Sequence, residues 1–175
     1  MDRCLQWMMK HHLNSVPMPV HPAMADSQPC PCANEGYENW LPIASIVTNQ
    51  QLDDLEATIN YPLPADYRRF LQHKHFYALL LGGAEFFPHP IDEWQQVLRQ
   101  EMLTNWPDAL RAGYIPFANY GGAGDVLCFY AEPNQSTADY PVVFYDHEDS
   151  RAQPFSRNFA TLLPQLLAEI PTRDM

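Results

Sequence analysis

Three short stretches of the 175-residue chain hold side chains in arrangements that chemistry could use. The first is IPFANYGGAGDVLCFY, residues 115–130, where Gly121, Gly122 and Gly124 crowd ahead of Asp125. Glycine clusters beside a strand can cradle phosphate through backbone N–H groups. A Walker loop also needs a lysine and a hydroxyl after its last glycine, and a dinucleotide fingerprint must lead from a strand into a helix. Here neither lysine nor hydroxyl follows, the next residues are strand-like, and Asp125 repels phosphate at short range. The glycines read as a tight connection that needs positive φ, with Asp125 as part of the same structural turn.

The second stretch is DHEDS, which sets Asp146, His147, Glu148 and Asp149 after an apolar strand. It is open to three readings: a metal or acid/base cluster, a solvated loop, or part of an acidic surface that meets a basic protein. The alternating ligands and glycine of a calcium loop are missing. The third group is the thiols and imidazoles. Cys30 and Cys32 with His21 give half of a zinc site at most, at the wrong spacing, and otherwise read as exposed cysteines. Cys128 could be imagined as a nucleophile beside His147, or as a small buried apolar residue. His73 and His75 flank Lys74 at a predicted helix end, where positive charge is favoured; two histidines do not hold zinc. No G-x-S-x-G or H-E-x-x-H run occurs. The expectation is a non-enzyme with no catalytic residue, no metal and no cofactor.

The charge balance narrows the partner. Asp and Glu number 21 against 10 Lys and Arg, a net charge of −11. Nucleic acid is excluded as the expected partner, because binding it needs a basic face to displace counterions. A basic protein suits the field. Four cysteines in no regular framework, no apolar run near the ~18 residues of a membrane span, and no signal-like N-terminus lead to an expected cytoplasmic location.

The elements that would position these residues fall in a clear order. Residues 1–42 carry Pro17, Pro19, Pro22, Pro29 and Pro31 and read as an extended, Pro-rich N-terminal arm, with a helical turn possible over 5–13. Met24 is a plausible second start. From Thr48, a capping-box spacing to Gln51 precedes Leu52, Leu55 and Ile59 at helical intervals. Pro64 opens a second helix that carries Tyr67, Phe70 and Leu71 on one face. FYALLLGGAEFF reads as two short strands or one bent at Gly82–Gly83. PIDEWQQVLRQEM reads as a helix from Pro90, with Trp94, Val97, Leu98 and Met102 on one side. GYIPFAN, with Pro116 favouring a sheet edge, DVLCFYA and YPVVFYD are strands, and EPNQSTAD is a polar turn. FSRNFATLLPQLLAEI closes the chain as a helix with Ser156 as its N-cap and Pro164 as a kink or junction. The fold class is α+β: a curved, mainly antiparallel sheet flanked by helices, in a single domain over 43–171.

Four pieces in this order, LPADYRRFL (63–71), IPFANYGGAGDVLCFY (115–130), PVVFYDHED (141–149) and FSRNFATLL (155–163), resemble the SUKH superfamily of bacterial toxin-immunity proteins and fungal cell-wall-assembly regulators. The resemblance covers roughly residues 48–168. One departure is QHKHFYALLLGG, which stands where many members carry an Asn-Gly-Gly turn. The resemblance implies a binding protein, most often an immunity protein that neutralises a toxin such as a nuclease. It also implies that Gly121, Gly122, Gly124 and Asp125 are structural. The expected partner is a basic toxin domain, such as a nuclease or deaminase, met by Glu132, Asp139, Asp146, Glu148 and Asp149 at strand ends. The alternatives are a regulatory or scaffolding module of the cell-wall-regulator type, and a metal-dependent hydrolase built on Asp146 and His147.

Overall fold

A computed structural model describes residues 1–17, 19–27, 36–131 and 139–168. In chain order the elements are α1 (Asp2–Lys10), β1 (Ser15–Val16), β2 (Glu38–Asn39), β3 (Ile43–Ala44), α2 (Asn49–Ile59), α3 (Ala65–Leu71), β4 (Lys74–His75), β5 (Leu79–Leu81) and β6 (Ala84–Phe86). Then come α4 (Trp94–Arg99), which runs on as a π-helix over Gln100–Asn105, α5 (Pro107–Arg111), β7 (Tyr114–Tyr120), β8 (Asp125–Tyr130), β9 (Val142–Asp146), β10 (Arg151–Ser156) and α6 (Phe159–Ala168). Six strands form one antiparallel sheet in the order β10-β9-β8-β7-β6-β5, and β1-β2 and β3-β4 are separate pairs. The class is α+β. No helix among the described residues is long and apolar enough to cross a membrane.

The sheet is strongly curved. Neighbouring strands lie about 4.8 Å apart, so β7 and β10 would stand about 14 Å apart if it were flat. Yet the Tyr120 ring on β7 and the Phe155 ring on β10 have centroids 5.0 Å apart. That face is concave, and it holds the main aromatic core. Phe117 and Phe129 stack at 4.3 Å on neighbouring strands. Tyr67 of α3 packs on both, at 5.8 and 5.1 Å, and Phe159 of α6 packs on both, each at 5.8 Å. The opposite face is covered by the π-helix and α5. Strand alternation sends Tyr130 that way, where it stacks on Tyr114; Tyr114 meets Tyr145, and Tyr145 meets Trp106.

Local chemistry explains the helix starts. Thr48 Oγ1 accepts the Gln51 N–H, and Gln51 Oε1 accepts the Thr48 N–H at 2.9 Å, a reciprocal cap for α2. Arg68 of α3 reaches back to Glu56 and Asp53 of α2 at 2.6 and 2.8 Å, fixing the two helices side by side. Gly82 and Gly83, with φ of +52° and +77°, turn β5 into β6.

Several expectations need correction. Pro116 is not at a sheet edge: β7 is flanked by β6 and β8. The position tolerates proline because β6 pairs only with residues 118–120 and because a bulge falls between Pro116 and Ala118. The helix expected from Pro90 begins at Trp94, after a turn. The last helix begins at Phe159, and its first turn is capped by Asn158, whose Oδ1 accepts the Thr161 N–H at 2.9 Å, not by Ser156. Residues 151–156 form β10 instead. Its exposed Arg151, Gln153 and Pro154 lack strand character, and an edge strand with one neighbour tolerates them. α6 continues through Pro164. His75 does not end a helix: it pairs in β4 with Ile43 of β3 and is fully buried.

The N-terminal residues also differ from an extended arm. α1 buries Cys4, Leu5 and Met8, β1 pairs with β2, and Val16, Val20, Met24 and Trp40 join the same core cluster as the sheet. α1 lies against β5, the sheet's last strand. Cys30 and Cys32, residues 132–138 of the expected polar turn, and residues 169–171 of the expected domain lie outside the described residues.

Two outcomes follow for stability. Phe117→Ala removes a fully buried ring shared by α3 and α6 and should cost about 3–5 kcal/mol, read from urea unfolding. A chain that starts at Met24 loses α1 and β1. Each buried aliphatic side chain is worth roughly 1.5–3 kcal/mol, so its unfolding midpoint should drop well below that of the full chain. An unchanged midpoint would show that residues 1–23 add nothing to the fold.

Candidate functional site

The β7–β8 and β8–β9 connections bring the sequence-singled residues to the sheet. Gly121, Gly122 and Gly124 occupy the turn after β7 with φ of +71°, +72° and +90°. A Cβ at Gly121 or Gly122 would meet open space, so the left-handed backbone and not crowding favours glycine there. Gly124 answers to both demands: a Cβ would come within 3.2 Å of the His147 ring. Asp125 starts β8. The register pairs Val126 with Tyr145, so the next step outward sets Asp125 beside Asp146 at the end of β9.

The carboxylates are held by their surroundings. Asp125 Oδ1 accepts the His147 backbone N–H at 3.2 Å and lies 3.0 Å from His147 Nδ1. Asp146 Oδ1 accepts the backbone N–H groups of Glu148 and Asp149 at 2.9 and 3.0 Å, which folds the chain tightly into β10. Glu148 and Asp149 project into solvent, and Asp149 meets Arg151 at 3.5 Å. The His147 ring stands edge-on to Trp106, with centroids 6.5 Å apart. One end of the sheet therefore gathers Asp125, Asp146, Glu148 and Asp149, with His147 and Arg151 as the nearby cations or potential cations.

Asp139 is not part of this group. It precedes β9, at the end of that strand opposite Asp146, and accepts a hydrogen bond from Asn158 Nδ2 ahead of α6. Glu132 lies outside the described residues. Sequence reasoning took Asp125 as a turn residue and so did not place it beside Asp146. The signal was the strand register, which a sequence alone does not fix.

Asp125, Asp146 and His147 offer ligand atoms within 4.8 Å of one another. One oxygen of each carboxylate already accepts two hydrogen bonds, and all three groups reach solvent to some degree. Cys128 is fully buried, and burial pushes its thiol pKa upward, so it forms almost no thiolate at neutral pH. That environment suits packing and not nucleophilic attack.

The Asp125–His147 pair is electrostatically coupled. The hydrogen bond to Asp125 raises the His147 pKa above its ordinary 6.5, and the same bond lowers that of Asp125 below 3.8. The imidazolium's contribution to stability is present below pH 6.5 and is lost as pH rises through the raised folded-state pKa. The carboxylate's contribution is present above pH 3.8 and is lost as pH falls through its lowered value. In Asp125→Asn the His147 ring titration, followed by NMR, should move downward from its position in the unsubstituted protein. A midpoint that stays put would mean that Asp125 does not set the charge of His147.

The model of the SMI1 / KNR4 family (SUKH-1) matches residues 46–165. A search of curated proteins finds no match. The matched span takes in α2 through most of α6, that is, both helical covers of the sheet and the acidic hairpin end. This superfamily includes immunity proteins and regulators, works through protein–protein interaction, and is generally non-enzymatic. The chain belongs to the SMI1 / KNR4 family (SUKH-1).

Proposed function

We propose that this protein is an immunity protein that binds a bacterial toxin and blocks its active surface, and that the acidic end of the β8–β9–β10 sheet faces a basic patch on that toxin. The observation that carries the reading is the gathering of Asp125, Asp146, Glu148 and Asp149 at one sheet end, in a chain with a net charge of −11. Hairpin connections present such residues on a rigid base, so little ordering is needed on binding. Like charges held this close repel each other, and a cationic partner relieves that repulsion. Asp139, at the far end of β9, is a separate and lesser contact in this proposal, with Glu132. A nuclease or deaminase with a basic substrate groove is the toxin chemistry that fits. In this reading the mechanism is occlusion without chemistry.

The test is capture from extract of the protein's own source at ~0.1 M salt and elution at ~1 M, where exposed charges are largely screened. A stoichiometric basic protein whose toxic activity this chain abolishes is the expected result. The triple variant Asp146→Asn, Glu148→Lys, Asp149→Lys keeps the Asp146 oxygen that holds the turn and reverses the outward charge. It should weaken the captured complex by about tenfold or more, mainly through slower association. Unchanged affinity would move the contact elsewhere on the surface. Capture of a non-toxic regulatory protein would instead place the chain with the regulators of its family.

A further inference from the structure

His75 and His89 lie away from the acidic sheet end and are the two fully buried histidines among the described residues. Their rings stack, with centroids 4.7 Å apart and planes 16° from parallel. The hydrogen bonds of His75 define its protonation state by geometry. Its Nε2 accepts the backbone N–H of Ile46 at 3.1 Å, so that nitrogen carries no proton. Its Nδ1, 3.0 Å from the His89 carbonyl, must then carry the proton and donate it. One imidazole thus ties the segment leading into α2 to the segment leading into α4. His89 is also bridged to Phe76, and the helices beyond are joined by Gln95 Nε2 of α4 donating to the Gln51 carbonyl of α2 at 2.7 Å.

His89 is the less satisfied partner. Neither of its ring nitrogens makes a hydrogen bond of good geometry, although the Lys74 backbone weakly favours the imidazolium. Phe76 and Trp94 close around the ring, at 5.7 and 5.2 Å between centroids. Burial, and next the charge His75 would carry, hold the His89 pKa down at about 3. Burial also lowers that of His75. The charged and titratable groups facing the pair are Asp92, which favours a charged His75, and the two rings themselves; Asp92 also pairs with His21 at 3.0 Å. Ile43, Ile46, Phe76 and Trp94, which pair with or pack on the two residues, bring none.

We propose that His75 and His89 form an acid-sensitive latch: the neutral pair holds residues 45–48 against residues 88–93, and protonation releases both segments while the six-stranded sheet stays folded. A proton on His75 Nε2 would turn an acceptor into a donor aimed at the Ile46 N–H. A second proton on His89 would set two imidazolium faces against each other in an apolar site. Both changes are relieved by opening, where the rings reach water and bind protons with an ordinary pKa near 6.5.

Amide hydrogen exchange of the full-length chain tests this directly, with intrinsic exchange rates corrected for pH. The protection factor at Ile46 should fall about tenfold between pH 7.5 and 5.5 if opening lets one imidazole take up a proton, and about a hundredfold for both. Amides of β8 should keep their protection over the same range. His75→Gln places an amide where the ring stood, retains an acceptor for Ile46, and does not titrate; His89→Phe keeps both bonds of His75 and removes the stacked base. Each single variant leaves one imidazole and should cut the fall at Ile46 to about tenfold or less, and the double variant should flatten the profile. The unsubstituted protein supplies a check free of folding defects: ring NMR should show His75 neutral and protonated on Nδ1 at pH 5.5 in the folded state. A protection factor at Ile46 that falls less than threefold overturns the latch. So does an equal fall in β8, or folded-state titration of His75 near pH 6.5.

Discussion

The stacked rings of Phe117 and Phe129, on neighbouring central strands, are the surface on which both α3 and α6 rest. Tyr67 and Phe159 each touch both rings and also touch each other, at 5.3 Å. The sheet must curl for this to work, since a flat sheet would leave two small helices on a wide floor with gaps at the sides. The bulge at Phe117 supplies part of the answer. It adds one residue to β7, increases the local twist, and lets the ring meet the helices while residues on either side keep their register with β8. A simple one-residue slip would instead turn the rest of the strand inside out. Pro116 beside the bulge withholds an N–H where β6 has already ended.

Strand register explains how acidic residues come to share one end of the sheet. β8 and β9 pair closely over four registered positions, so their outer ends arrive together whatever charges they carry. Asp125 and Asp146 are then neighbours by backbone geometry. Each is stabilised by donors it did not choose for binding: backbone N–H groups in both cases, and His147 for Asp125. Such local donors let carboxylates stay ionised close to one another, at the cost of some mutual repulsion. Glu148 and Asp149 have no comparable constraint on their side chains apart from the exposed contact of Asp149 with Arg151, and exposed pairs of that kind contribute little.

What could be read in the sequence was local. The Thr48–Gln51 box, the apolar stripe of α3, the double-glycine hairpin and the three long strands all follow from residues close together in the chain. What could not be read depended on long-range pairing or on packing. β10 is polar and holds Pro154, so only its pairing with β9 identifies it as a strand. Asp125 and His147 are 22 positions apart, and His75 and the His89 carbonyl 14. The prolines of residues 1–42 suggested an extended chain, yet proline limits only the backbone. It does not stop Cys4, Leu5, Met8 and Trp40 from being buried, and these residues lie ahead of the span that matches the family.

The histidines show why bulk stability is a poor guide to this molecule's response to acid. His147 gains a proton next to a carboxylate, so acidification strengthens its contribution until Asp125 itself is protonated. His75 and His89 are neutral in the fold and would bind protons once exposed, so the same acidification weakens theirs. The two effects have opposite sign and meet near pH 6.5: the gain at His147 accrues as pH falls toward that value, and the loss at the buried pair accrues below it. A melting curve sums them over the whole molecule and does not say which side has loosened and which has tightened. The sites are also served by different elements: the exposed pair by the ends of β8 and β9, the buried pair by the segments before α2 and α4. Only probes that report on one segment at a time separate the contribution of the proposed partner surface from that of the core behind α2 and α4.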